Sequence, residues 1–182
     1  MSAAAGRTVS GARANVEAIV RPISIADTES FRDCIAEVMR ERRWLAFVEP
    51  FPLPESAAFV ARNIASGNPH FVADDGGAIV GWCDIRREEI PSYAHDSVMG
   101  MGLRSAYRGR GLGERLLRAA LAVAKASGFE RVSLHVYAKN THAFALYRKV
   151  GFVLEGTKVR GRKLDGVYDD VHLMAIQLTA PA

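Results

Sequence analysis

The sequence predicts an α/β (α+β) fold in one domain, with a mixed, mostly antiparallel sheet of about six to seven strands and about four helices. Three observations carry this. Two pairs of apolar runs meet at tight turns, Asp74-Asp75-Gly76-Gly77 and Asp165-Gly166, the mark of antiparallel hairpins. One amphipathic segment lies between two strand-like runs, with Leu112, Leu116, Leu117, Ala120, Leu121 and Ala124 on one stripe, which gives a single βαβ crossover. No internal repeat or linker divides the 182 residues, a length of about one domain.

The elements follow in order. Ala18 to Ile25 alternates loosely and reads as a first strand, with Pro22 placing it at an edge or a bulge. Asp27 or Thr28 caps a helix to about Arg43, with Phe31, Ile35, Val38 and Met39 at helical spacing. The prolines at 50, 52 and 54 make a rigid loop, and a second helix runs from Glu55 to Ser66 before Gly67-Asn68-Pro69 stops it. His70 to Ala73 and Ala78 to Arg87 form the first hairpin. Asp96 to Leu103 reads as a fourth strand whose Gly100 and Gly102 call for a bulge or a close backbone approach. Gly128 ends the long helix, and Arg131 to Tyr137 is a fifth strand. Asn140 caps a short helix to Val150, and Phe152 to Val159 pairs with Val167 to Leu178.

Composition narrows the function classes. Hydrophobic residues are 49% and charged residues 24%, enough apolar material for a core, so disorder of the whole chain is excluded. No apolar run reaches the ~18 residues of a membrane span. Cys34 and Cys83 sit inside patterned segments and read as buried, reduced thiols of a cytoplasmic protein. Residues 1–16 are small, polar and Arg-containing without an apolar core, so a disordered tail is expected there and the folded domain over 17–180. The net charge is +4, and Arg104 to Arg118 carries the same surplus locally, five arginines against Glu114. A compact basic cluster suits a small phosphate-bearing ligand. A nucleic-acid face would spread a longer basic stripe, and no such stripe is present. His70, His135, His142 and His172 lack metal-ligand spacing and read as structural or surface residues, so no metal is expected.

Tyr107-Arg108-Gly109-Arg110-Gly111-Leu112-Gly113 joins the fourth strand to the long helix. A helix start offers unpaired N–H groups and a positive dipole end, and glycines let backbone approach a phosphate without a Cβ in the way. The Walker string is absent, and the spacing GxGxG does not meet the dinucleotide fingerprint. Arg108, Gly111 and Gly113 do meet Gln/Arg-x-x-Gly-x-Gly/Ala. Downstream stands Asn140-x-x-Ala143-x-x-Leu146-Tyr147-x-x-x-Gly151-Phe152. Together these resemble the pyrophosphate loop and the "NxxAxxLYxxxGF" segment of the GNAT superfamily of N-acetyltransferases. The match covers Asp96 to about Leu178.

The resemblance implies acetyl-CoA as acyl donor and direct transfer to an amine, with Arg108, Gly109, Arg110, Gly111, Leu112, Gly113, Asn140 and Ala143 at the cofactor. It implies that backbone at Met101, Gly102 and Leu103 meets the cofactor and the oxyanion, and that Tyr147 protonates the leaving sulfur. A phenol of pKa ~10 is protonated at neutral pH and able to donate. For the base, His95 opens strand four, and imidazole is the side chain suited to proton transfer near neutral pH. Glu88, Glu89 and Asp96 lie close in sequence, and a water chain is the other route. The segment Val150-Gly151-Phe152-Val153-Leu154-Glu155-Gly156, continued to Asp170 as "GFxxEG…DGxYxD", is similar to GNAT members that acetylate small amines such as amino acids and phosphinothricin. It also occurs in relatives that modify protein N-termini. The expected partner is a small-molecule amine, with no nucleic acid and no membrane. A protein or lysine acetyltransferase and a non-catalytic acyl-CoA sensor remain the alternatives. Arg43 to Pro54 and Glu88 to His95 should shape the acceptor pocket, and the C-terminal hairpin could support a homodimer.

Overall fold

The computed structural model describes residues 18–179; the tail expected over 1–16 lies outside them. The described chain enters as β1 (Ile19–Pro22), a 3-10 turn (Ile25–Asp27), α1 (Thr28–Arg40) and α2 (Leu53–Ala65). It continues as β2 (His70–Asp75), β3 (Ala78–Arg87) and β4 (Ser97–Leu103), then α3 (Leu112–Ala126), β5 (Arg131–Tyr137), α4 (Thr141–Val150), β6 (Val153–Leu164) and β7 (Val167–Gln177). The seven strands form one sheet in the order β1-β2-β3-β4-β5-β7-β6. Every neighbouring pair is antiparallel except β4 and β5, which α3 joins as the expected crossover.

Boundaries differ from the sequence reading where local geometry intervenes. The first strand stops at Pro22, because the chain turns into the 3-10 segment that leads to α1. Arg21 fixes this corner, its guanidinium bonded to Asp27 at 2.7 Å and Asp74 at 2.8 Å. Helix α1 ends at Arg40, since Arg42 takes a left-handed φ of 54° that no α-helix continues. Helix α2 begins at Leu53, so Pro54 sits in the first turn, where its missing N–H costs nothing. Strand β6 runs to Leu164, past the expected Val159. An irregularity between Lys158 and Arg162, with Arg160 at φ 53°, absorbs the extra residues. Asp165 and Gly166 both have positive φ, as a tight hairpin turn requires.

Helices cover both faces. Phe31, Val38, Val60, Val72, Ile79 and Trp82 pack α1 and α2 on one side. Leu116, Leu117, Ala120, Val132, Leu134, Phe152 and Met174 build the larger core under α3 and α4. Alternation along β3 sends Cys83 and Ile85 into the second core and Trp82 and Asp84 toward the first helix pair. Cys34 and Cys83 are both buried and unpaired. No helix among the described residues is long and apolar enough to cross a membrane.

Asp84 is the costly polar group of this core. It is 4% exposed, with one ion pair to Arg86 at 3.0 Å, and burial pushes its carboxyl up to about 6. The unfolded carboxyl titrates near 3.8. The folded state therefore binds the extra proton between these values, and stability falls as pH rises from about 4 to about 6. Two pH units correspond to roughly 3 kcal/mol. Asp84→Asn is expected to raise the thermal midpoint by several degrees at pH 7.5 and to leave it unchanged at pH 4. Calorimetry at the two pH values checks this, and an equal gain at both would refute it.

Candidate active site

Strand β4 is hydrogen-bonded to β3 along its whole length but meets β5 only at Val98 and Ser133. Below that bridge the strands are clipped together. Ser133 Oγ donates to the Ser97 carbonyl at 3.1 Å, and Arg131 forms ion pairs with Asp96 and Glu155. Above it they part. Glu88 N donates to Asp96 O at 3.1 Å and Arg104 N to Val80 O at 2.9 Å, which fixes the phase of the β3–β4 ladder at both ends. Even-numbered residues from 98 to 104 thus turn their amides toward β3. The amides of Met101 and Leu103 turn toward the gap, and that of Gly102 does not.

The glycines of β4 have a steric cause. A Cβ at Gly102 would lie 2.4 Å from the Trp82 ring, and one at Gly100 would lie 3.2 Å from Asp84 Oδ1. The β3–β4 register is unbroken, so close approach, and not a bulge, is what these glycines serve.

Beyond Leu103 a 3-10 turn (Ser105–Tyr107) leads into the glycine loop. Gly109 and Gly111 take φ of 73° and 77° with open space where a Cβ would stand, and Gly111 is the N-cap of α3. Among the described residues, no backbone bond is donated from Gly109 through Glu114. This row of amides at a helix start is a ready anion cradle. Arg108 does not point into it. Its guanidinium donates to Glu41 at 2.8 and 2.6 Å and to the Leu103 carbonyl at 3.0 Å, bracing the loop against the end of α1. Arg110 lies over Tyr107, exposed. Leu112 and Gly113 are buried in the first turn, where a Gly113 Cβ would press Leu103 at 3.3 Å and Leu146 at 3.4 Å. Glu114, the acid nearest the cradle, is engaged by Lys149 and Arg118.

Asn140 caps α4, its Oδ1 accepting from Ala143 N at 3.2 Å. Tyr147 stands two turns on, 7% exposed, with its ring 5.8 Å from Phe152. Burial pushes its phenol well above the ordinary range, and the Cys83 thiol adds to the shift. Cys83 is the ladder partner of Met101, so the tyrosine lies behind the parted strand on the α3–α4 side.

The opposite side holds a cleft of about 260 Å³ beside Tyr137, the last residue of β5, between the α1–α2 loop and the β6–β7 hairpin. Tyr137 and Lys139 form its floor, and Arg42, Arg43 and Trp44 one wall. Arg42 reaches across to Asp165 at 2.9 Å and clasps the two loops. His135 shares this face, because Val132, Leu134 and Val136 point into the core on the other. It is exposed, two residues past the bridge, and burial and Lys158 lower its pKa from 6.5. His95 is also exposed, but it lies three residues before Val98, on the closed side of the bridge. Glu88 and Glu89 line a separate cavity of about 490 Å³ beside α2. The sequence reading set His135 aside; strict alternation over Arg131–Tyr137 was the signal that it faces away from the core. No local signal announces the Arg42–Asp165 clasp, which joins residues 123 positions apart.

The acetyltransferase (GNAT) family model matches residues 36–152. The N-alpha-acetyltransferase RimI of Mycobacterium tuberculosis is 38% identical over 122 residues, 66% of this chain and 73% of that protein. The L-amino acid N-acetyltransferase AaaT of Escherichia coli is 29% identical over 110 residues, 60% of this chain and 68% of that protein. Among solved structures, a GNAT acetyltransferase of Streptococcus pneumoniae superposes with a TM-score of 0.82 at 26% identity, covering 88% of this chain and 99% of that one. A phosphinothricin acetyltransferase of Sinorhizobium meliloti, solved in complex with acetyl-CoA, gives a TM-score of 0.84 at 24% identity over 92% of this chain and 94% of that one. With the parted β4–β5 strands, the amide-rich loop at α3 and a family match over more than half its length, the chain belongs to the GNAT family of acetyltransferases and is an acyltransferase.

Proposed function

We propose that this protein transfers the acetyl group of acetyl-CoA directly to the primary amine of a small molecule such as an amino acid or related metabolite. The observation that carries the small-molecule reading is the clasp. Arg42–Asp165 spans the cleft between the α1–α2 loop and the β6–β7 hairpin, a space of about 260 Å³. A protein N-terminus, the acceptor class named for RimI, needs an open groove through which its chain can continue.

The amides from Gly109 to Gly113 suit a pyrophosphate, and the open space over Gly109 and Gly111 leaves room for it. When bound, acetyl-CoA supplies an acyl group activated as a thioester. The N–H groups of Met101 and Leu103 face the gap where negative charge would develop on the acyl oxygen, a preorganised donor pair. Tyr147 holds its proton at any working pH and serves as the donor to the departing thiolate. The acceptor ammonium must shed a proton before its nitrogen can attack. His135 stands on the open side of the bridge and the same face as the cleft, with a pKa pushed toward the neutral imidazole. Geometry favours it over His95 as the proton acceptor.

The reading is tested by CoA release from acetyl-CoA with amino acids, polyamines, aminoglycosides and short peptides. Turnover is expected with small amines, and turnover confined to peptides would overturn the acceptor class. Tyr147→Phe is expected to lower kcat about a hundredfold while acetyl-CoA binding holds; retained kcat would remove Tyr147 from the chemistry. In the wild-type enzyme, kcat should rise with pH through a pKa below 6.5. His135→Gln should abolish that limb and reduce kcat, whereas His95→Gln should preserve both; the reverse pattern returns the role to His95. Gly111→Ala forces a side chain into left-handed backbone at a cost of about 1–2 kcal/mol. Its acetyl-CoA Kd, read by calorimetry, is expected to rise about tenfold.

A further inference from the structure

The cleft beyond Tyr137 has a charge surplus that the transfer chemistry does not use. Four cations line it, Arg42, Arg43, Lys139 and Arg162, against two carboxylates, Asp165 and Asp169. Asp165 is held by Arg42, and Asp169 by Lys139 at 2.5 Å and Arg162 at 3.3 Å. Arg43 has no carboxylate within ion-pair distance among the described residues; its guanidinium lies over Trp44 at 4.6 Å. Arg162 is held over the Tyr137 ring at 4.4 Å, its side chain 12% exposed. Its two polar contacts are long, 3.3 Å to Asp169 and 3.2 Å to the Arg42 carbonyl. A guanidinium carries five donors, so Arg162 retains donor capacity, and its planar fork matches a carboxylate.

Spacing supplies the second argument. At ~3.3 Å per residue, Tyr137 lies about 7 Å along β5 from His135. An amine placed at the parted strands therefore brings a group a few bonds away onto the Tyr137–Arg162 end of the cleft. That span suits a free amino acid or a similarly short amine with an acidic group. A polyamine or an aminoglycoside would bring further positive charge against a wall in which Arg42 is paired with Asp165 and Glu49 but Arg43 has no carboxylate partner among the described residues.

We propose that the acceptor carries a carboxylate, bound by Arg43 and Arg162, with its amine turned back toward His135. This rests on the acetyltransferase reading above. The enzyme then selects by charge as well as size, favouring free amino acids over their amides, esters and cationic analogues. Of amino acids, those with a second carboxylate on the side chain suit the cleft best, since two arginines stand there.

The test compares each acceptor with its own fully amidated form, glutamate against glutaminamide and alanine against alaninamide, at saturating acetyl-CoA. The free acids are expected to exceed the amides at least tenfold in kcat/KM. Arg162→Gln should raise KM for the acids about tenfold, leave the amides unchanged and leave KM for acetyl-CoA unchanged. Because Arg162 also braces Asp169, the exposed Arg43→Ala serves as a second variant and should erode the same preference without a loss of thermal midpoint. Equal use of acid and amide by the wild-type enzyme, or equal losses for both in each variant, overturns the carboxylate site while leaving the transferase reading intact. Absence of CoA release with any amine, acid or amide overturns the transferase reading and this proposal with it.

Discussion

The site depends on one constraint, the parting of two parallel strands beyond a single bridge. Parallel neighbours ordinarily satisfy one another's backbone groups along their length. Here β4 and β5 do so only at Val98 and Ser133, and the structure anchors that point heavily. Arg131 grips Asp96 and Glu155, and Ser133 is tied to the Ser97 carbonyl. With the apex pinned, the outward amides of Met101 and Leu103 face a gap that a ligand can enter. Unsatisfied backbone groups are expensive when buried, so a fold that keeps this pair open retains it for a bound partner.

The surroundings hold the gap in shape from both faces. The Trp82 ring crowds Gly102, and Tyr147 packs behind β4 against Phe152. The glycine loop is pulled toward α1 by the Arg108–Glu41 fork. An arginine that the motif alone would assign to the phosphate is thus engaged with Glu41 and the Leu103 carbonyl. The two faces of the sheet thereby differ. The α3–α4 side holds the amide-rich loop and the buried phenol, and the α1–α2 side holds His135 and the cationic cleft.

Much of this was legible in the residues. The turn chemistry at Asp165-Gly166, the stripe from Leu112 to Ala124 and the glycines flanking Arg110 each act within a few positions, and the structure bears out the order of elements they predicted. Distant residues set what local spacing leaves open. The glycines of β4 call for a bulge or a close approach, and an indole from the neighbouring strand decides for the close approach. Sequence places His95 at the start of β4, and only the bridge at Val98 shows that it lies on the closed side of the gap. The alternation of β5 places His135 on the face away from the core.

The sequence by itself determined the fold class, the strand-loop-helix that cradles an anion and the identity of the family, because these rest on local spacing and backbone conformation. Tertiary structure alone decided which side of the β4–β5 bridge each histidine occupies, that Arg108 pairs with Glu41, and that Arg42 and Asp165 join the α1–α2 loop to the β6–β7 hairpin. These depend on side chains brought together across tens of residues, with energies governed by distance and burial that no linear pattern encodes.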